Sequence, residues 1–290
     1  MSVPSGIIDG ILKLSGMDKE ISERTFYKEL RRSAINSRKK ERMLPRFFGV
    51  KAEKGVYCGM DYYLFTPKET DTSKSIMYLH GSGYVNPIRR AQLSFAVMLA
   101  RNLHAKIYLP IYPKLPFSTA ISCFSLLNNY YAFLEKKGEV FPVGDSSGGA
   151  LALAIAATHP SVRAVIAISP WVLLDLSEEG REVNGDLMLS VSRLDHTAKL
   201  WRGDLPESDL RVSPFYGKYE GKDVFLLAGE KERFRPDVLR FFRELSLRGC
   251  SVTYLEGRGG QHCYPLMATA EGQAACEAIC LKLRSLLYGE

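Results

Sequence analysis

No stretch of this 290-residue sequence approaches the roughly twenty consecutive apolar residues that a membrane-spanning helix needs. The opening Met1-Ser2-Val3-Pro4-Ser5 has neither the basic region nor the long apolar core of a secretory signal, so the expected location is the cytoplasm. Internal repeats and low-complexity tracts are absent, which excludes solenoid and linker-like architectures. The six cysteines (Cys58, Cys123, Cys250, Cys263, Cys276 and Cys280) make no C-x-x-C pair and have no histidine at zinc spacing. That argues against a zinc site or a disulfide framework, and six reduced thiols are expected. Lysine and arginine exceed the acidic residues by only 39 to 32. The densest basic part runs from Arg31-Arg32 through Arg38-Lys39-Lys40-Glu41-Arg42 to Arg46. Without interleaved aromatics it reads first as a solvated helix face, with contact to nucleic acid or an anionic membrane as the alternative. Ile7, Ile8, Ile11, Leu12 and Leu14 form a short stripe at helical spacing, expected to pack on the rest of the chain.

What is present is alternation. Residues 1 to about 45 read as helices, Ile7 to Lys13 and Ile21 to Arg42. Val56 to Pro67 looks like paired strands. Short apolar runs follow at Ser75–Leu79, Ala105–Leu109, Glu139–Val143, Val162–Ile168, Val224–Ala228 and Ser251–Leu255. Segments of helical period lie between them: Ile88–Leu103, Thr119–Lys137, Ala150–Thr158, Arg235–Arg248 and Ala268–Leu287. Continuous apolar strands alternating with helices predict an α/β fold, a mostly parallel sheet with helices on both faces. Asp175 to Tyr216 interrupts the pattern with many charges and few strand signals, as an insertion or lid would. The expected organisation is therefore a helical segment over 1–48, core over 49–174, the insertion over 175–216, and core again over 217–290.

The chemistry is concentrated at Gly144-Asp145-Ser146-Ser147-Gly148-Gly149. It lies between an apolar strand and the helix-like Ala150 to Ala157. A serine in a tight glycine-flanked turn from strand to helix is the arrangement of a nucleophile elbow, with the helix N-terminus behind the hydroxyl. Such a pattern arises by chance in many chains, so its meaning depends on the other parts. Directly after Leu79 comes His80-Gly81-Ser82-Gly83-Tyr84. A chain with few Cβ atoms there can converge backbone N–H groups on one point, as an oxyanion hole requires. Gly81, Ser82 and Ser147 are the expected donors. Of five histidines, only His262 follows a late strand, in Gly259-Gly260-Gln261-His262-Cys263-Tyr264, and it is the candidate base. Strand Val224–Ala228 leads into Gly229-Glu230-Lys231-Glu232-Arg233-Phe234-Arg235-Pro236-Asp237, which offers three carboxylates. Glu232 is the candidate acid, with Glu230 and Asp237 as rivals. The order Ser146, Glu232, His262 is that of an α/β-hydrolase and not of chymotrypsin or subtilisin.

With these residues assembled, the chain resembles the hormone-sensitive-lipase-like branch of the α/β-hydrolase superfamily over roughly residues 50 to 290. That branch carries H-G-G-G-[FWY] and G-D-S-A-G-G, against His80-Gly-Ser-Gly-Tyr84 and Gly144-Asp-Ser-Ser-Gly-Gly149 here. Tyr112-Pro-Lys-Leu-Pro116, Ser169-Pro-Trp171, Asp186-Leu-Met-Leu-Ser190 and Val212-Ser-Pro-Phe-Tyr-Gly217 are further matching segments. The stretch Gly229 to Asp237 resembles the family's G-x-x-E-x-L-x-x-D and places the acid at Glu232. The resemblance implies a helical cap built from the N-terminal helices and the insertion. It also implies a serine esterase for short to medium acyl chains that works through an acyl-enzyme and needs no metal or cofactor. Tyr84, Trp171 and Met188 are the expected substrate-lining residues. A small-molecule ester is the expected partner, with no nucleic acid, and the chain is expected to be a monomer or homodimer. An amidase or peptidase of the same fold, or a non-catalytic ligand-binding relative, are the alternatives. Three departures bear on efficiency. Ser82 replaces a glycine, the loop from Glu256 to His262 is longer than the family's, and the segment after Pro116 is shorter.

Overall fold

In a computed structural model of the chain, residues 2–40, 49–70 and 73–289 are described. The basic residues 41–48, and with them the end of the expected N-terminal segment, lie outside the described residues. The elements in chain order are α1 (Ser5–Ser15), α2 (Glu23–Lys40), β1 (Val50–Tyr57), β2 (Met60–Pro67), β3 (Ser75–Leu79), α3 (Arg90–Leu103), β4 (Lys106–Pro110) and α4 (Ala120–Glu135). They continue with β5 (Val140–Asp145), α5 (Ser147–Thr158), β6 (Ala164–Ile168), α6 (Glu178–Glu182), α7 (Val191–Arg202), β7 (Asp223–Gly229), α8 (Arg235–Leu247), β8 (Ser251–Gly257) and α9 (Ala270–Tyr288).

The strands form an eight-stranded sheet in the order β1-β2-β4-β3-β5-β6-β7-β8. Pairings β1–β2 and β2–β4 are antiparallel, and every later one is parallel. The hairpin turns at Cys58 and Gly59, both at positive φ (46° and 80°), as a two-residue turn matched to strand twist requires. It starts at Val50, earlier than the sequence suggested. The charged run Lys51–Lys54 hides a strand of mixed burial at the sheet edge.

The central strands are apolar over most of their length, with polar residues only at their ends, because both faces are covered. In β3, Ile76 and Tyr78 pack with Leu93, Leu99, Ile279 and Leu283 of α3 and α9. Met77 and Leu79 point the other way, into a core with Leu127, Leu151, Val238 and Phe241 of α4, α5 and α8. Each parallel strand ends at the same edge, so the loops after β3, β5, β7 and β8 converge.

Between β6 and β7 the described residues contain no strand, only α6, α7 and a 3₁₀ turn, Pro214–Tyr216. Phe26 and Leu30 of α2 join Leu194, Ala198 and Trp201 of α7 in the same core as α4 and α5. Glu20 fixes the two parts together. Its carboxylate accepts the N–H groups of Val191 and Ser192 at the start of α7, at 2.9 and 2.6 Å. Arg193 reaches back to Glu29 and to the carbonyls of Met17 and Lys19.

Helix α1 departs from expectation. None of its residues is buried, and Ile7, Ile11 and Leu14 are exposed, Leu14 at 90%. Polar tethers attach it instead: Asp9 binds Lys231 and the Gln261 amide, and the Val3 N–H donates to the Ala268 carbonyl.

Candidate active site

Ser146 sits between β5 and α5 at φ 54°, ψ −124°, a strained conformation that lifts its side chain out of the turn. The flanking glycines are dictated by approach distances. A Cβ on Gly144 would strike the Gly148 carbonyl, and one on Gly148 would strike the carbonyl of Leu79. The Ser146 hydroxyl stands 2.9 Å from His262 Nε2. On the other side of the ring, Nδ1 faces Glu232 Oε2 at 3.4 Å, an ion-pair distance longer than a formed hydrogen bond. Serine, imidazole and carboxylate are thus in line.

The structure separates the three acidic candidates. Glu230 accepts the Gly259 N–H at 2.7 Å and shapes the turn before the histidine. Asp237 faces the Ser177 N–H at the insertion. Glu232 alone of the three meets His262, and it is fully buried. Burial pushes its pKa up, against the pull of His262 and Ser169. For His262, burial opposes the imidazolium, while neighbouring Cys263 and the Glu232 carboxylate favour it; the net direction is well above an ordinary histidine. Burial holds the Cys263 thiol at about 11, so it is neutral near neutral pH, and Glu232 is the carboxylate that faces the imidazole.

Ser169, which the sequence reading passed over as a site residue, braces this pair. Its hydroxyl donates to Glu232 Oε2 at 2.6 Å and accepts the Cys263 N–H at 2.9 Å. Its φ of 47° marks a strained position; the matching segment Ser169-Pro-Trp171 pointed to the place but not to this role. Asp186, buried in the insertion, accepts the N–H groups of Met188, Leu189 and Arg233, tying the insertion to the acid loop. The longer loop before His262 closes a turn at Arg258–Gly260 without displacing the imidazole.

The glycine-rich loop differs in detail from expectation. The Gly81 N–H is committed to Asp145 Oδ1 at 2.9 Å and is not free to meet an oxyanion. Its missing side chain matters sterically, since a Cβ would press on Asp145 and on Ser146 Cβ. The Ser82 N–H donates to Ser147 Oγ at 3.0 Å. Ser82 has no positive φ; that conformation falls on Gly83 and Tyr84, so the serine introduces no backbone strain. The N–H groups of Gly83 and Ser147 donate to no protein acceptor among the described residues. Gln92 locks the loop: its Nε2 donates to the Gly81 carbonyl and to Asp145 Oδ2, and its Oε1 accepts the Arg89 N–H. Buried His80, its pKa driven down to about 3 by desolvation and by Lys114, is neutral and stacks on Tyr112.

Ser146 and His262 open into a cavity of about 530 Å³, walled by Phe26, Leu30, Trp171, Met188, Leu194 and Phe234 among others. Of the three expected lining residues, Trp171 and Met188 are in its wall. Tyr84 is not. It is 1% exposed and lies stacked between Trp201, at 4.1 Å and 8°, and Trp171, at 5.6 Å. The positive φ of the loop turns this ring inward, into the core beneath α7. Trp171 stacks in turn on Phe234, whose ring meets His262 edge-on. A column of aromatic rings thus runs from α7 to the imidazole.

The family description that matches residues 76–266 is the alpha/beta hydrolase fold. A triacylglycerol lipase of Mycobacterium tuberculosis is 26% identical over 188 residues, covering 62% of this chain and 39% of that protein. The chain thus spans about two-fifths of the length of the curated relative it matches. Among solved structures, a hormone-sensitive lipase from a metagenome library superposes with a TM-score of 0.85 at 20% identity, over 98% of this chain and 99% of the other. A Staphylococcus aureus protein provisionally described as an esterase gives 0.85 at 23%, over 91% and 94%. At those identities the superpositions speak for the fold. The matched stretch takes in the glycine-rich loop, the elbow and the acid and histidine loops, and the chain belongs to the alpha/beta-hydrolase fold family.

Proposed function

We propose that this chain is a serine hydrolase of the hormone-sensitive-lipase-like branch that cleaves carboxylic esters through an acyl-enzyme. The observation that carries the reading is the 2.9 Å contact of Ser146 Oγ with His262 Nε2, with Glu232 on the far side of the ring, at the floor of an apolar cavity. His262 takes the Ser146 proton as Oγ attacks the ester carbonyl. Glu232 orients the imidazole and stabilises the imidazolium. The negative oxygen of the tetrahedral intermediate is received by the Ser147 N–H at the start of α5 and by the glycine-rich loop, where the Gly83 N–H is unengaged. His262 then protonates the departing alcohol, and water repeats the sequence on the acyl-enzyme.

The relatives described as lipase and esterases support the same bond class. The cavity suits a short to medium acyl chain lying against Trp171 and Met188. Residues 1–48 and 175–216 act together as the cap over it. The test is hydrolysis of p-nitrophenyl butyrate. Ser146→Ala is expected to lower kcat by at least about 10³-fold and to abolish labelling by a fluorophosphonate probe. Unchanged hydrolysis in that variant would show the assignment to be wrong.

A further inference from the structure

Two departures from the branch's motifs, Ser82 for a glycine and Ser147 for an alanine, lie 65 residues apart in sequence and touch in the structure. The Ser82 N–H donates to Ser147 Oγ at 3.0 Å, and the two hydroxyl oxygens are 3.5 Å apart. The donors and acceptors around them fix a direction. Tyr112 spends its proton on the His80 carbonyl at 2.6 Å, so in its 3.0 Å contact with Ser82 Oγ the serine is the donor. Ser82 Oγ is then left to accept the long contact from Ser147, and Ser147 Oγ accepts the Ser82 N–H. All three side chains are buried, Ser147 and Tyr112 completely.

We propose that the Ser147 hydroxyl withholds the Ser82 N–H from the oxyanion hole, leaving the site one backbone donor short. The proposal rests on the serine-esterase reading above. An oxyanion that meets the Ser147 N–H approaches the same residue whose side-chain oxygen already holds the Ser82 N–H. That donor becomes available only if Ser147 Oγ releases it. Removing one donor from such a site costs about 10²–10³-fold in kcat where it has been measured. The shortfall falls hardest on alkyl esters, whose transition states carry the most charge on the carbonyl oxygen. It falls least on activated esters with an acidic phenol or enol leaving group. The chain is thereby specialised for activated esters by a residue outside the triad.

The test compares wild type, Ser147→Ala, Ser82→Gly and the double variant on ethyl butyrate and p-nitrophenyl butyrate, with butylboronic acid as a tetrahedral inhibitor. Ser147→Ala is expected to raise kcat/KM on ethyl butyrate by about ten-fold or more, and on the nitrophenyl ester by less. The boronic acid is expected to bind Ser147→Ala more tightly, a change that a purely structural role would not produce. Ser82→Gly alone keeps both the N–H and its acceptor and should show no gain. The double variant, which restores the glycine and the alanine of the motifs, should match Ser147→Ala and carries the test if the single variant is unstable. No gain in either alanine variant, with an active wild type, overturns this proposal alone. A gain from Ser82→Gly by itself also overturns it. A folded wild type inactive on p-nitrophenyl butyrate overturns the esterase reading and this proposal with it.

Discussion

In the proposed role of His262 as base, its imidazole must be uncharged to accept the Ser146 proton, yet the buried Glu232 carboxylate favours its cation. The folded pKa is raised, so the base is protonated, and idle, over a wider acidic range. The acid limb of the kcat/KM profile is expected above the 6.5 of an unperturbed histidine. Glu232→Gln removes the anion. It should move that limb to lower pH while lowering the plateau by about 10²-fold or more. A limb that stays in place in Glu232→Gln would show that another group sets it. Order along the chain was enough to single out Ser146 and His262, which the fold brings to 2.9 Å, because strand ends and loops could be read from apolar runs. Glu230, Glu232 and Asp237 could not be separated by any spacing rule, and the resemblance to a family decided among them. The commitment of the Gly81 N–H to Asp145 was invisible, since it depends on which way an amide points. Ser169 was visible only as part of a matching segment and Gln92 not at all, since each acts through bonds to groups far along the chain.

Among the elements, β3, β5, β6 and β7 were legible because strands buried on both faces carry near-continuous apolar runs, broken only at their ends. The edge strand β1 was half hidden by its lysines, and α1 misled, its stripe of isoleucines facing outward while Asp9 does the anchoring. A hydrophobic period states that one face is apolar and not what covers it. The join between α7 and the glycine-rich loop depends on Trp201, fully buried on Tyr84. Trp201→Ala is expected to destabilise the fold by about 3–5 kcal/mol, read as a lowered melting temperature. Because Tyr84 belongs to the glycine-rich loop proposed to receive the oxyanion, kcat should fall in the same variant at temperatures where it remains folded. Full kcat alongside the lost stability would uncouple the column from the site.

For the whole molecule, the convergence of loops at one sheet edge follows from parallel topology, and the alternation of strands and helices made that topology legible. What alternation could not convey is how the N-terminal helices meet the insertion, since Glu20 and Arg193 join segments about 170 residues apart. Met17, Phe26 and Leu30 form one side of the cavity. A chain lacking residues 1–48 is expected to keep hydrolysis of p-nitrophenyl acetate and to lose preference for longer acyl groups. The loss should be about 0.8 kcal/mol of transition-state binding for each methylene left uncovered. Chain-length profiling of both forms would check it, and identical profiles would remove the helices from the acyl site.

The sequence contains two tryptophans, and both belong to the aromatic column. Intrinsic indole emission from this protein therefore comes entirely from the seam between the helices over the cavity and the loop beside Ser146. Trp171 borders the cavity and donates its Nε1–H to the Leu174 carbonyl, while Trp201 is sealed against Tyr84. One fluorophore is placed to sense an occupant and the other to sense the seam parting, so a label-free spectrum separates ligand entry from opening of the molecule.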